Sequence, residues 1–111
     1  MNMQEKQLGQ LRPADTNAAS LYSPAANITG IAKNLVICNT TATPDTFRVF
    51  LDDDGTTYDQ STALFYDAPI AANTTVLVDM YSPMNNAAGN FAVRAGTASA
   101  LTFTLSGAEI S

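Results

Sequence analysis

From Thr46 to Leu51 the side chains change character at every step. Phe47, Val49 and Leu51 share one parity, and Thr46, Arg48 and Phe50 share the other. A period of two marks a strand with one face buried, because successive side chains of extended chain point to opposite sides. The same spacing returns near the end of the chain. Phe91, Val93 and Ala95 alternate with Ala92, Arg94 and Gly96, and Leu101, Phe103 and Leu105 alternate with Thr102, Thr104 and Ser106. Helical spacing over three turns is missing, apart from a weak trace at Leu8 and Leu11. The chain is thereby confined to the all-β class.

Further short strands are predicted over residues 18–23, 31–40, 61–67 and 74–81, each bounded by turn residues. The run Leu35-Val36-Ile37-Cys38 is apolar without alternation, which suits a central strand or one covered on both faces. Asp54-Gly55 predicts a tight hairpin that returns through Thr56, Thr57 and Tyr58. In the segment 74–81, Val76, Val78 and Met80 are expected inward, with Thr75, Leu77, Asp79 and Tyr81 facing outward or toward a partner. Residues 82–89 read as the longest loop, and Ala68-Pro69 as a bend. Seven to eight short strands at intervals of about 8–12 residues predict a two-sheet antiparallel β-sandwich, Ig-like or jelly-roll-like. Residues 14–111 are expected to form its single domain, and residues 1–13 read as an extended N-terminal arm, either a frayed terminus or a segment that lies on a neighbouring subunit.

Composition narrows the function. Charged residues make up 14% of the 111-residue chain, against about 25% in an ordinary domain, which leaves much of the surface to Thr, Ser, Asn and Ala. The net charge is −5, and Lys6, Arg12, Lys33, Arg48 and Arg94 are scattered, so a nucleic-acid or anionic-membrane partner is not expected. Cys38 is the sole cysteine and forms no intrachain disulfide. The N-terminal residues carry no apolar signal-peptide core, so synthesis in a cytoplasm is expected.

Reactive constellations are hard to find. Histidine is absent, which removes the usual base for a serine or cysteine nucleophile. Cys38 lies in the most apolar stretch and reads as a structural core thiol. Asp52, Asp53 and Asp54 could offer hard oxygen ligands to Ca²⁺, but Phe50 and Ser61 stand where an EF-hand needs its first and last ligands. A solvated tip is the simpler reading. Tyr22, Tyr58, Tyr66 and Tyr81 could stack on sugars, although strand tyrosines more often pack at sheet edges or subunit contacts. No catalytic residue, cofactor, metal or small-molecule substrate is expected, and the chain is not read as an enzyme.

An ordered series of phrases carries a family resemblance. Residues 8–14 (LGQLRPA), 20–24 (SLYSP), 36–41 (VICNTT), 52–59 (DDDGTTYD), 62–67 (TALFYD), 72–75 (ANTT) and the tail from Leu101 to Ile110 resemble small accessory virion proteins of tailed bacteriophages. The likeness implies a structural β-sandwich on the outer surface of a phage particle, most commonly a capsid decoration or cement protein set over capsomer junctions. Its partners would be the major capsid protein or other virion proteins, with homo-oligomers common. The alternative is a neck, tail or fibre module that recognises a host surface or glycan. Contact residues are expected in the arm (Leu8, Leu11, Arg12, Pro13) and at Tyr22, so removing residues 1–13 should leave the melting temperature little changed.

Overall fold

The computed structural model describes residues 2–111. It contains eight strands and, among the described residues, no helix: β1 (Met3–Leu11), β2 (Ala19–Tyr22), β3 (Thr29–Asn39), β4 (Asp45–Asp52), β5 (Ala63–Ile70), β6 (Thr75–Met84), β7 (Asn90–Ala95) and β8 (Leu101–Ile110). Two four-stranded antiparallel sheets run β1-β8-β3-β6 (sheet A) and β2-β7-β4-β5 (sheet B). The pairs are nested: β4 with β5, β3 with β6, β2 with β7 and β1 with β8. A chain folded back on itself in this way and then rolled into two sheets is a jelly roll, which decides between the two sandwich topologies left open above.

Alternation supplies the core. Leu35 and Ile37 of β3 and Leu101, Phe103 and Leu105 of β8 point from sheet A to meet Phe47 and Val49 of β4 and Phe91 and Val93 of β7. The β3 run that looked unalternating does alternate, with Leu35, Ile37 and Asn39 buried and Val36 and Cys38 half-buried on the outer side. Asn39 is the buried exception. Its Nδ2 donates to the Thr43 and Ala71 carbonyls, and its Oδ1 accepts from the Thr41 amide and hydroxyl, so every polar valence is used.

Four expectations are corrected. Residues 3–11 are not an arm but the strand β1, paired with β8 from Met3↔Ile110 to Leu11↔Phe103. Their polar side chains belong to an edge strand, which is half in water and so lacks a long apolar signature. The Asp54-Gly55 tight hairpin is absent: β4 ends at Asp52, β5 begins at Ala63, and Gly55 has an ordinary negative φ. Residues 53–62 instead form the longest loop, while residues 82–84 belong to β6. Ala68-Pro69 does not bend the chain away, because both residues lie within β5, an edge strand where proline's missing N–H costs nothing.

Close backbone approach fixes two glycines. A Cβ on Gly107 would run into the Ile31 carbonyl oxygen where β3 and β8 change register, and a Cβ on Gly30 would enter the Tyr22 ring. Gly107→Ala should destabilise the domain by about 2–3 kcal/mol, since the obstacle is main chain and cannot rotate away; an unchanged urea midpoint would show that the pair can separate freely. Deleting residues 1–13 should cost about 10 °C or more in melting temperature, from roughly 2–3 kcal/mol of lost packing at Leu8, Leu11 and Pro13. A thermal scan showing full stability without β1 would restore the arm.

Candidate interaction surface

The residues expected to touch a partner are spent on the fold. Leu8 and Leu11 pack against the core, and Pro13 is buried, with its carbonyl accepting from the Ser99 amide at 2.8 Å. Arg12 is exposed but binds its own chain, its guanidinium donating to the Ser99 carbonyl and the Thr40 hydroxyl. Tyr22 is only 8% exposed. Its hydroxyl donates to Glu109 Oε2 at 2.7 Å, while Lys6 Nζ lies 2.8 Å from Glu109 Oε1. Lys6 and then the Tyr22 hydroxyl hold the Glu109 carboxyl below its usual range. Burial, and then the bond to Glu109, push the Tyr22 phenol up. This chain of three side chains ties β1, β2 and β8 together at one side of the roll.

The outer face of sheet B is partly covered by the molecule's own groups, with Leu64 and Tyr66 of its edge strand left exposed. Arg48 and Arg94 stand opposite each other on β4 and β7, and Asp67 answers both: Arg48 Nε donates to Asp67 Oδ1 at 2.7 Å, and Arg94 Nη1 lies at 3.7 Å. These contacts, the Arg48 hydrogen bond first, draw the Asp67 carboxyl below its usual range. The Arg48 guanidinium also lies over the Tyr66 ring, 3.9 Å from its centroid. Beside them Phe50 is buried on this outer side, with its ring 6.1 Å from Tyr58 and 6.5 Å from Tyr66. The loop 53–62 brings Tyr58 there.

Asp52 holds that loop. Only 8% exposed, its Oδ2 accepts from the Thr57 amide at 2.8 Å and its Oδ1 from the Asp54 amide at 3.2 Å. These backbone donors, Thr57 first, pull its carboxyl below the usual range, and Asp54, bonded to and repelled by Asp52, is pushed up. Among the described residues, no three acidic or cysteine side chains gather as a metal cluster. Of the Asp triplet, Asp52 is the loop fastener, while Asp53 and Asp54 are exposed to solvent.

Sheet A presents the opposite case. Among the described residues, no segment covers its outer face. Across it run rows of small or neutral side chains: Thr75, Cys38 and Thr102; then Leu77, Val36 and Thr104; then Asp79, Asn34 and Ser106. The charges there are few. Glu5 and Lys33 pair at 3.1 Å, and Asp79 accepts from Asn34 Nδ2 at 3.0 Å. Cys38 is half-buried on this face rather than deep in the core. At its margin Leu77 is 70% and Tyr81 71% exposed. Alternation had already placed both outward, and the unusual signal is that two large apolar side chains occupy those outward positions.

No family model matches the chain, and no curated protein matches it. Among solved structures, a chain in the structure of infectious bursal disease virus, Gx strain, is similar at 15% identity and a TM-score of 0.46, covering 98% of this chain and 32% of that one. A chain of the Gt strain is similar at 14% identity and a TM-score of 0.39, covering 97% and 28%. This chain spans about a third or less of the length of both.

The acidic loop yields a signed pH prediction. A raised folded pKa at Asp54 means that its ionised form is disfavoured in the native state, a penalty that is absent below the unfolded pKa and grows as pH rises past it. Asp54→Asn should therefore raise the melting temperature at pH 7 and leave it unchanged near pH 3. Glu109 has the opposite sign: its stabilisation is present above the ordinary carboxyl range and is lost as pH falls through the depressed value. Glu109→Gln should accordingly lower the melting temperature at pH 7 and flatten its fall in acid. Parallel melting curves for both variants across pH 3–7 check the two signs together.

Proposed function

We propose that this protein is a structural component of a phage virion, a capsid decoration protein that lies on the shell through the outer face of sheet A. The observation that carries the reading is the contrast between the two sheets. The centre of sheet B's outer face is covered by its own loop and ion pairs, whereas sheet A offers a weakly charged surface, uncovered among the described residues and bordered by the more exposed Leu77 and Tyr81. Large apolar groups at the margin of a neutral face suit contact with protein, because little charge must be stripped of water on docking. The resemblance running from Leu8 to Ile110 supports the same role. A net charge of −5 favours solubility of a chain made in many copies, and repeated weak contacts on a lattice add through avidity.

Jelly rolls serve both as shell components and as lectins, so the fold does not separate decoration from host-glycan recognition. One observation favours the second reading: exposed Tyr66 borders an open depression with Asp59, Gln60 and Ser61. Against it, Arg48 already occupies one face of the Tyr66 ring.

Quantitative mass spectrometry of purified particles separates the two, with hundreds of copies expected for decoration and a handful for a tail or fibre module. The double variant Leu77→Lys with Tyr81→Lys should keep its melting temperature and fall at least about tenfold in copies per particle, from the cost of burying unpaired charge at a contact. Full occupancy by this variant would remove sheet A as the docking face.

A further inference from the structure

We infer that the free edge of β6 takes a partner by strand addition, and that the partner is an extended segment of another protein with a basic residue between two apolar ones in the order apolar–x–basic–x–apolar. The inference goes beyond attachment to a particle, because it states how the chain binds whatever complex it joins.

The four sheet edges are unequal. β2 is four residues long and lies beside β1, where a Cβ on Gly9 would strike the Leu21 carbonyl. β1 carries Glu5 and Lys6 and shifts register between Gln7 and Gly9. β5 changes register twice, holds Asp67 at a φ of 54° and includes Pro69, so no long regular run of donors and acceptors faces outward. Bulges, proline and charge are the usual defences of an edge. β6 has the fewest. It pairs with β3 without interruption from Thr75 to Asp79, its proline comes only at Pro83, and Asp79 is its one charge.

The direction of its free groups follows from one hydrogen bond. The Thr74 carbonyl accepts from the Asn39 amide at 2.9 Å, so Thr74 turns its main chain toward β3. In an antiparallel ladder the direction alternates residue by residue. Thr75, Leu77 and Asp79 therefore turn their N–H and C=O groups to the open side. An added strand can bond to these groups while its own side chains meet Leu77, Asp79 and, beyond the register shift, Tyr81.

Charge selects the occupant. A second copy of β6 laid antiparallel with Leu77 against Tyr81 sets Asp79 against Asp79, and each copy brings a net charge of −5. Sliding by two residues either way sets Asp79 against an apolar side chain instead. Among the described residues, no cation bridges Asp79. A basic residue directly across from it, with apolar neighbours two places to each side, satisfies all three positions together.

The probe is a synthetic alternating peptide of threonine and valine with a central lysine and leucine two positions to either side. Native-state amide exchange on the full chain should show Thr75, Leu77 and Asp79 slowing at least about tenfold when the peptide is added. A glutamate-centred peptide should bind about tenfold more weakly, and N-methylation of its alternate amides should abolish binding. Asp79→Lys should reverse the preference, so that the glutamate peptide binds better, with an unchanged circular dichroism spectrum showing that the sheet is intact. Unchanged exchange at these three amides, or equal binding of the two peptides, overturns the inference. So does sedimentation showing dimers of the chain alone that Asp79→Lys disperses. None of these readings uses virions, so they fail or succeed separately from the copy-number test.

Discussion

The structure depends on inward parity being kept in its four central strands. β3 and β8 in one sheet and β4 and β7 in the other bury nearly every second side chain, and the phenylalanines at 47, 91 and 103 fill the space between. Dry, close-packed contact across two sheets is the main stabilising term in a domain without an intrachain disulfide. Where parity breaks, it breaks for a reason. Phe50 turns outward, yet it stays buried because the loop 53–62 carries Tyr58 across it. The loop in turn depends on Asp52, whose carboxylate gathers the backbone amides of Asp54 and Thr57.

This arrangement makes the two sides of the sandwich unlike each other. The outer side of sheet B is occupied by a loop, an aromatic cluster and the Arg48–Asp67–Arg94 ion pairs. The outer side of sheet A is left to threonine, asparagine, serine and valine. Surface ion pairs contribute little to stability, so the bonds around Asp67 are better understood as covering β5 and its neighbours. Among the described residues, sheet A has no equivalent cover, and the functional proposal rests on that asymmetry.

Most of the fold was legible in the residues, and most of the candidate surface was not. Phe91, Val93, Phe103 and Leu105 announce their strands because each lies between two neighbours and has one wholly dry face. β1 was missed for the converse reason: as an edge strand at the rim it buries only Leu8 and Leu11, and Gly9 interrupts its pattern. The Asp54-Gly55 turn misled because a dipeptide preference is local, whereas Asp52 bonds to Thr57 and holds the chain in a wider path. The bond between Tyr22 and Glu109 was not legible, because nothing in the sequence places a residue 87 positions away beside that ring. Leu77 and Tyr81 were correctly sent outward, but their importance comes from lying on the one lightly defended edge, and edges exist only once the sheet order is known.

The nested pairing also sets a timetable for a chain emerging from the ribosome. β3 with β6 and β4 with β5 are the only pairs available before β7 appears, and each leaves its apolar side open to water. Sheet B gains its second half only when β7 arrives to join β2 and β4, and β1 must wait for β8. Contacts of such long sequence separation form slowly. Both sheets are therefore completed only once β7 and β8 have emerged, and in the interval the half-formed sheets expose apolar surface of the kind that chaperones cover.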